Sequence, residues 1–247
     1  MTRWTPMTGH EYNLKFAAVD LFCYCTVMNH DMAFLKNQAR QLNIALSNGQ
    51  LQQFDVYKNE LMDWNAKTNL ISEKSARDIL ARHFLDSLTA LRYITPPDAR
   101  IIDVGSGAGF PGLPLKIAQP SLDLYLLEAN RKKVSFLKHI VRLLNLSSVD
   151  IIHDRVENII RENVYQEKFD VLISRASFKL PQLCSFCRYF LTPAGRLIAL
   201  KGPGVEAEIQ KCFEDRNPSG IYQLIQQPIE APFLNSTRKI IIGQKMK

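Results

Sequence analysis

The sequence predicts an α/β protein built on a seven-stranded, mostly parallel sheet, preceded by an N-terminal helical cap. Three observations carry this reading. Seven short apolar runs lie between residues 100 and 242, and helical patterns separate the earlier ones. Such alternation builds βαβ units and a parallel sheet covered on both faces. The stretch from 32 to 95 is helical in texture throughout, and a glycine-rich turn directly follows the first apolar run.

In chain order, residues 1–31 read as an extension, 32–95 as the cap and 96–247 as the ligand-binding domain, with the boundary at Thr95-Pro96-Pro97-Asp98. Phe16–Met28 is apolar but is interrupted by Asp20, is too short to span a bilayer and lacks a small-residue cleavage site. Met28 and Met32 stand just before the first clean helical pattern and are the expected translation starts. Phe34, Leu35, Ala39, Leu42 and Leu46 recur at helical spacing, and Asn48-Gly49 is expected to end that helix. Leu51, Phe54, Tyr57, Leu61 and Trp64 form the next stripe, which makes Trp64 a core residue and not a base-stacking platform. Asn65 and Asn69 follow as loop-shaping residues. A third helix is expected from Ser75, capped there, with Asp78 in its first turn and Ile79, Leu80, Phe84, Leu88 and Leu91 on its apolar face.

The strand candidates are Arg100–Val104, Asp123–Leu127, Val149–Ile152, Phe169–Ser174, Arg196–Leu200, Tyr222–Ile225 and Lys239–Ile242. Lys132–Leu144 and Leu180–Phe190 are helices between them, and the last two runs suit an antiparallel pair. Five cysteines, at 23, 25, 184, 187 and 212, fit no secreted framework, and no second pair accompanies Cys184-x-x-Cys187 to complete a zinc site. Free thiols, a reducing cytoplasm, no metal and no membrane association are the expectations. The chain carries 31 Lys and Arg against 24 Asp and Glu, a net charge of +7. That excess is compatible with a phosphate-rich partner without requiring one.

The strongest local signal is Ile101-Ile102-Asp103-Val104-Gly105-Ser106-Gly107-Ala108-Gly109-Phe110-Pro111-Gly112. An apolar strand enters a turn whose glycines let the backbone approach a ligand, and open parallel sheets bind ligands outside their carboxyl ends. Gly107-x-Gly109-x-x-Gly112 spells a dinucleotide fingerprint. Two features oppose that ligand: Asp103 and Gly105 end the strand too early, and Pro111 removes an N–H that a pyrophosphate would use. The pattern resembles instead the first motif of S-adenosylmethionine (SAM)-dependent methyltransferases. Asp103 could then attract the ammonium of SAM, directly or through water. Glu128, closing the second strand, stands where a carboxylate accepts from ribose hydroxyls; this supports a ribose without choosing between cofactors.

Further motifs narrow the resemblance. Trp64-Asn65 with Thr68-Asn69-Leu70, Arg82-His83-Phe84-Leu85-Asp86-Ser87, Arg131-Lys132-Lys133-Val134, Arg155-Val156-Glu157, Ser174-Arg175-Ala176 and Leu200-Lys201-Gly202 flank the glycine loop in order. Together the chain resembles the bacterial 16S ribosomal RNA (guanine-N7) methyltransferase G family, also called glucose-inhibited division protein B. The resemblance implies a Rossmann-like class I SAM methyltransferase fold, SAM as co-substrate, and 16S rRNA or the small ribosomal subunit as partner of a cytoplasmic monomer. Carried over by motif, the cofactor residues are Asp103, Gly105, Gly107, Phe110, Glu128, Val156, Glu157 and Arg175. Arg175 takes the positioning role at the junction of cofactor and guanine. Arg155, Lys201 and His83 are the RNA-side candidates; His83 and Asp86 either line the rim or bond the cap to the sheet domain. Ser106 and Ala108 stand where some relatives have Thr-x-Pro, and Ser177-Phe178-Lys179 departs from them.

The reaction so implied needs no general base, because guanine N7 already carries an exposed lone pair. The basic helix with Arg131, Lys138 and Arg142 near one face either touches RNA phosphates or is a solvated face. Two other readings stay open: a SAM methyltransferase of protein or a small molecule, and a non-catalytic RNA-binding assembly factor. The strand end Ser174-Arg175-Ala176 lacks the Asn-Pro-Pro-Tyr-type tetrad used on exocyclic amines.

Overall fold

The computed structural model describes residues 30–72, 78–214, 221–229, 233 and 238–245. Met28, one of the two expected starts, the Ser75 cap, Cys23 and Cys25 lie outside the described residues, whereas Met32, the other, is buried in the first described helix. The sheet has seven strands in the order β3-β2-β1-β4-β5-β7-β6. They are β1 (Arg100–Val104), β2 (Asp123–Leu127), β3 (Val149–Ile152), β4 (Phe169–Arg175), β5 (Leu191–Lys201), β6 (Ile221–Ile229) and β7 (Arg238–Lys245). The first five run parallel, and β7 lies antiparallel between β5 and β6. Strand order reverses beside β1, which pairs with β2 on one side and β4 on the other. A crevice opens at that point in sheets of this kind.

Alternation along the strands divides the core in two. Ile101, Val171, Ile198 and Ile240 face one side; Ile102, Leu172, Leu197 and Ile241 face the other. Both faces are buried, which is why the strands read as continuous apolar runs. Helices α3 (Gly112–Ala118) and α4 (Arg131–Leu143) cover the first face, together with α1 (His30–Gln41) and α2 (Asn48–Thr68). Helices α5 (Val156–Glu162), α6 (Leu180–Phe190) and α7 (Glu206–Glu214) lie on the second.

Asn48-Gly49 opens α2 instead of ending α1. Ser47 and Gln50 form a capping box: the Gln50 N–H donates to Ser47 Oγ at 3.2 Å and the Ser47 N–H to Gln50 Oε1 at 2.8 Å. Two satisfied backbone donors outweigh the helix-breaking tendency of the following pair. At the far end Asn69 takes a left-handed conformation (φ 51°) and Asn65 Oδ1 accepts from the Ile71 N–H at 2.8 Å, so both asparagines shape the turn. Trp64 is half-buried and packs edge-on against Phe136 at the margin of the core.

The third cap helix is not α-helical where its functional residues lie. Leu80–Leu85 forms a π-helix that passes into an α-turn at Asp86–Leu88. Asp78 Oδ1 accepts from the Ala81 N–H at 3.2 Å in the first described turn of this helix. Every residue from His83 to Ala90 is buried, so His83 and Asp86 enter the interior with Phe84 and Leu88. Wide turns of this kind recur at functional sites. Cys184 and Cys187 on α6 and Cys212 on α7 are buried and in no disulfide, and the Cys184 thiol donates to Cys212 Sγ at 3.6 Å. Among the described residues no helix is long and apolar enough to cross a membrane.

Candidate active site

The glycine loop is held before any ligand arrives. The N–H groups of Gly105 and Ser106 both donate to the Leu127 carbonyl, at 2.9 and 3.1 Å, tying the tip of β1 to that of β2. The Gly107 N–H donates to Glu128 Oε2 at 2.8 Å, and the Asn130 N–H donates to Glu128 Oε1 at 2.8 Å. Gly105 has φ +75°, and a Cβ there would lie 2.6 Å from Ser177 Cβ. Ser177 cannot swing aside freely, because its Oγ donates to the Gly105 carbonyl at 2.7 Å. Gly107 (φ +61°) differs: its missing Cβ faces open space.

A cavity of about 560 Å³ opens over these strand tips. Gly105, Gly107 and Phe110 line it from the loop, Glu128 from β2, Arg155, Val156 and Glu157 from the start of α5, and Arg175 from β4. That volume suits a ligand of nucleoside size. The carboxylate of Glu128 accepts one backbone N–H on each oxygen and retains a further lone pair on each for a diol. Val156 is buried and apolar, whereas Arg155 and Glu157 are exposed at the rim.

Three expected site residues stand elsewhere. Asp103 is fully buried behind the loop and off the cavity wall, its Oδ2 accepting from the Gly112 N–H at 2.9 Å. A direct ammonium contact is not available to it from there. Lys201 is also off the wall; its Nζ donates to the Phe178 carbonyl at 2.6 Å and to Glu208 at 2.9 Å. An amine so engaged shapes the loop after β4. His83 lies under Phe110, its ring stacked 4.5 Å from the phenyl. It bonds cap to sheet, with Nδ1 accepting from Arg175 Nη2 at 2.6 Å.

That bond belongs to a buried network that sequence reasoning only partly anticipated. Arg175 Nη1 donates to the Arg82 carbonyl at 2.7 Å and to Asp86 Oδ2 at 3.1 Å. Arg238, at the start of β7, pairs with the other oxygen of Asp86 at 3.3 Å. The Arg175 guanidinium also sits 4.9 Å from the centre of the Phe110 ring. Tyr57 stacks on the same ring at 5.6 Å, while its hydroxyl donates to the Ala108 carbonyl at 2.5 Å. Phe110 is therefore gripped between cap and sheet, and Arg175 is the bolt. Arg238 and Ser177 were missed. Neither carries a local motif; the departure at Ser177-Phe178-Lys179 was the one visible signal.

Burial drives two opposite shifts. It pulls His83 down to about 3, helped by Arg175, Arg238 and Arg82. It pushes Asp103 up to about 7, against the Gly112 hydrogen bond and Arg175. Neutral His83 contributes stability that is present above pH 6.5 and lost as the pH falls from 6.5 toward 3. Asp103 contributes stability that is present below pH 3.8 and lost as the pH rises toward 7. Between about pH 4 and 6.5 the two slopes oppose each other. His83→Asn keeps an acceptor for Arg175, and Asp103→Asn keeps one for Gly112. Urea unfolding at pH 4.5 and 6.5 should then show the first variant gaining stability on acidification relative to wild type, and the second losing it. Each difference is expected at roughly 2–3 kcal/mol over the two pH units. Parallel pH dependences in all three proteins would refute both assignments.

Among the described residues no group of three or more His, Cys, Asp or Glu is arranged to hold a metal ion. A family model described as GidB, rRNA small subunit methyltransferase G, matches residues 50–227. The chain is 40% identical over 229 residues to the ribosomal RNA small subunit methyltransferase G of Syntrophus aciditrophicus, covering 91% of this chain and 95% of the relative. The like-named protein of Alkaliphilus oremlandii is 37% identical over 215 residues, covering 86% and 90%. Among solved structures, protein Atu636 of Agrobacterium tumefaciens, described as a predicted O-methyltransferase, gives a TM-score of 0.52 at 17% identity over 62% of this chain and 77% of that one. TrmN of Thermus thermophilus gives 0.51 at 18% over 68% and 53%. At such identities the likeness is one of fold, the class I methyltransferase α/β sheet.

Proposed function

The chain belongs to the small-subunit ribosomal RNA methyltransferase G family, and from that membership we propose that it transfers the methyl group of SAM to N7 of one guanine in 16S rRNA. The observation that carries this reading is the convergence of Gly107, Glu128 and Arg175 at the ends of three strands, and Val156 at the start of α5, on one nucleoside-sized cavity. Glu128 would hold the ribose hydroxyls, and the apolar side chain of Val156 with Glu157 would flank the adenine. Gly105 and Gly107 would let the backbone lie against the amino-acid end. The cavity's carboxylates Glu128, Asp154 and Glu157 also suit a ligand that is cationic at sulfur and nitrogen.

SAM, when bound, supplies an electrophilic methyl on a sulfonium. The protein's task is then to hold the purine in line with it and keep water out. Methylated guanine is cationic, so a guanidinium pressed on N7 would oppose the reaction. The bonds of Arg175 to the Arg82 carbonyl, Asp86 and His83 draw its charge toward the cap. We assign it to positioning: it fixes Phe110 at the cavity wall and joins the cap to β4. Arg155, exposed at the rim, is the remaining RNA-side candidate of the three considered.

The test is to titrate SAM, then incubate labelled SAM with small ribosomal subunits, with protein-free 16S rRNA and with a protein extract. Label should enter 16S rRNA and be recovered as 7-methylguanine. Absence of SAM binding would favour a non-catalytic assembly factor. Label confined to protein or small molecules would redirect the substrate assignment.

A further inference from the structure

Helix α4 breaks the rules of a merely solvated helix. Its thirteen residues, RKKVSFLKHIVRL, contain no acid, and its first turn holds three cations where the helix dipole disfavours them. Lys138 and Arg142 stand four apart, a spacing at which like charges repel. The buried side is ordinary: Val134, Phe136, Leu137 and Ile140 pack into the core. His139 pairs at 2.7 Å with Glu60 of α2. The outward side is not neutralised. Among the described residues, no ion pair involves Arg131, Lys132, Lys133, Lys138 or Arg142. Elsewhere Lys58, Arg100, Lys201, Lys239 and Lys245 have carboxylate partners, and cations without one, such as Arg92, Arg188 and Lys211, are scattered on separate elements and form no row.

The geometry gives this excess a direction. Arg131, Ser135, Lys138 and Arg142 are all exposed and follow one another at four-, three- and four-residue steps, a single stripe. At about 1.5 Å per residue the stripe is roughly 16 Å long. It begins on the same first turn as Lys133, which lines the cavity wall; Arg131, two residues earlier, stands at that end of the helix on a different face. The other end lies beside the cap, where the Gln53 amide donates to the Leu144 carbonyl at 3.0 Å. A row of uncompensated cations leading away from a pocket fits a regularly charged polyanion better than a single ion or a folded acidic protein.

We propose that this stripe is the track on which the RNA strand bearing the target guanine lays its phosphates, with Arg131, Lys138 and Arg142 as the contacts. The proposal rests on the RNA methyl-transfer reading above. Phosphate contacts fix register and orientation while leaving base choice to the pocket. Neutralising the stripe should therefore alter RNA affinity and its salt dependence, and leave SAM affinity and kcat alone.

The experiment compares wild type with R131Q/K138Q/R142Q and with R92Q/R188Q/K211Q. The control removes the same charge from exposed cations scattered elsewhere. Affinity for protein-free 16S rRNA is measured between 50 and 200 mM KCl, together with SAM affinity and thermal stability. Each lost contact to a single strand lowers the log–log salt slope by about 0.7. The stripe variant should lose about 2 from that slope, so that it forfeits roughly 20-fold less affinity over this salt range than wild type does. SAM affinity should stay within about twofold of wild type; K138Q/R142Q should fall between, losing about 1.4 from the slope. An unchanged slope overturns the track, and so does an equal loss in the control, which would make the effect one of net charge. Normal binding to protein-free RNA with weakened binding to assembled subunits would also overturn it, pointing to a ribosomal protein as partner. If wild type itself labels no RNA, the functional reading fails; if it does and the slope is unmoved, only the track fails.

Discussion

Replacing Asp86 with asparagine should cost about 3–5 kcal/mol of stability, the usual cost of breaking a buried ion pair. Asp86 has no exposed surface, and it is the carboxylate facing both Arg175 at 3.1 Å and Arg238 at 3.3 Å. Removing it leaves the buried Arg175 and the partly buried Arg238 guanidinium at the seam of cap and sheet without their shared carboxylate. A protein of this length shifts its Tm by roughly 2–4 °C per kcal/mol, so a fall of roughly 10 °C is expected. The damage should reach the cavity as well, because Asp86 is one of the groups that hold the Arg175 guanidinium over Phe110. SAM affinity should fall along with Tm. A double-mutant cycle with Arg175→Met separates pairing from simple loss of packing. The double variant, with one buried charge fewer, should be clearly less destabilised than the sum of the singles. A D86N protein melting within about 2 °C of wild type would show that the cluster is not held by this carboxylate.

The second large effect is expected at Gly105. Alanine there must adopt φ +75°, a conformation that costs an L-residue roughly 1–2 kcal/mol, and must also push against Ser177 and the Phe178 ring. Overpacking of that kind adds roughly 1–3 kcal/mol. Gly105→Ala should therefore lose about 2–5 kcal/mol of stability and most SAM binding, since the displaced Ser177 lies just past the end of β4, where its hydroxyl also donates to the Arg175 carbonyl. Gly107→Ala is the informative contrast. Its φ of +61° imposes the backbone cost alone, because its Cβ meets nothing within 4 Å. The expected loss of stability is about 1 kcal/mol, while the added methyl enters space open to a ligand and should weaken SAM binding. Thermal melts and SAM titrations of the two variants give the comparison. Equal stability losses at both glycines would contradict the packing argument.

Much of the fold was legible. Strands β1, β2 and β3 end where the apolar runs end; β1 is buried on both faces and so reads as a nearly continuous apolar run, while the edge strand β3 is only partly buried and carries an exposed Asp150. β5 extends back to Leu191 through Thr192-Pro193-Ala194-Gly195, residues that read as a turn. An irregularity in its pairing with β4 accommodates them there. The start of α2 was legible too, but in Ser47 and Gln50 and not in Asn48-Gly49. The glycine loop and Glu128 could be read from a contiguous segment, since both follow from where a strand must stop. Asp103 and Lys201 could not: a carboxylate or amine near a strand tip points either to the ligand or back into the protein, and local pattern does not distinguish the two.

The division has one physical root. Backbone conformation and the periodicity of burial are set by residues within a few positions of each other, and so the order of strands and helices, the glycine turn and the two shaping asparagines are written in the sequence itself. Charge pairing is set by which distant ends converge. Asp86, Arg175 and Arg238 meet only because a π-turn in the cap, the tip of β4 and the start of β7 are brought to one seam. Desolvation there makes His83 neutral and converts Arg175 from a free cation into a fixed part of the wall. Those states depend on burial and distance, which the tertiary structure alone decides.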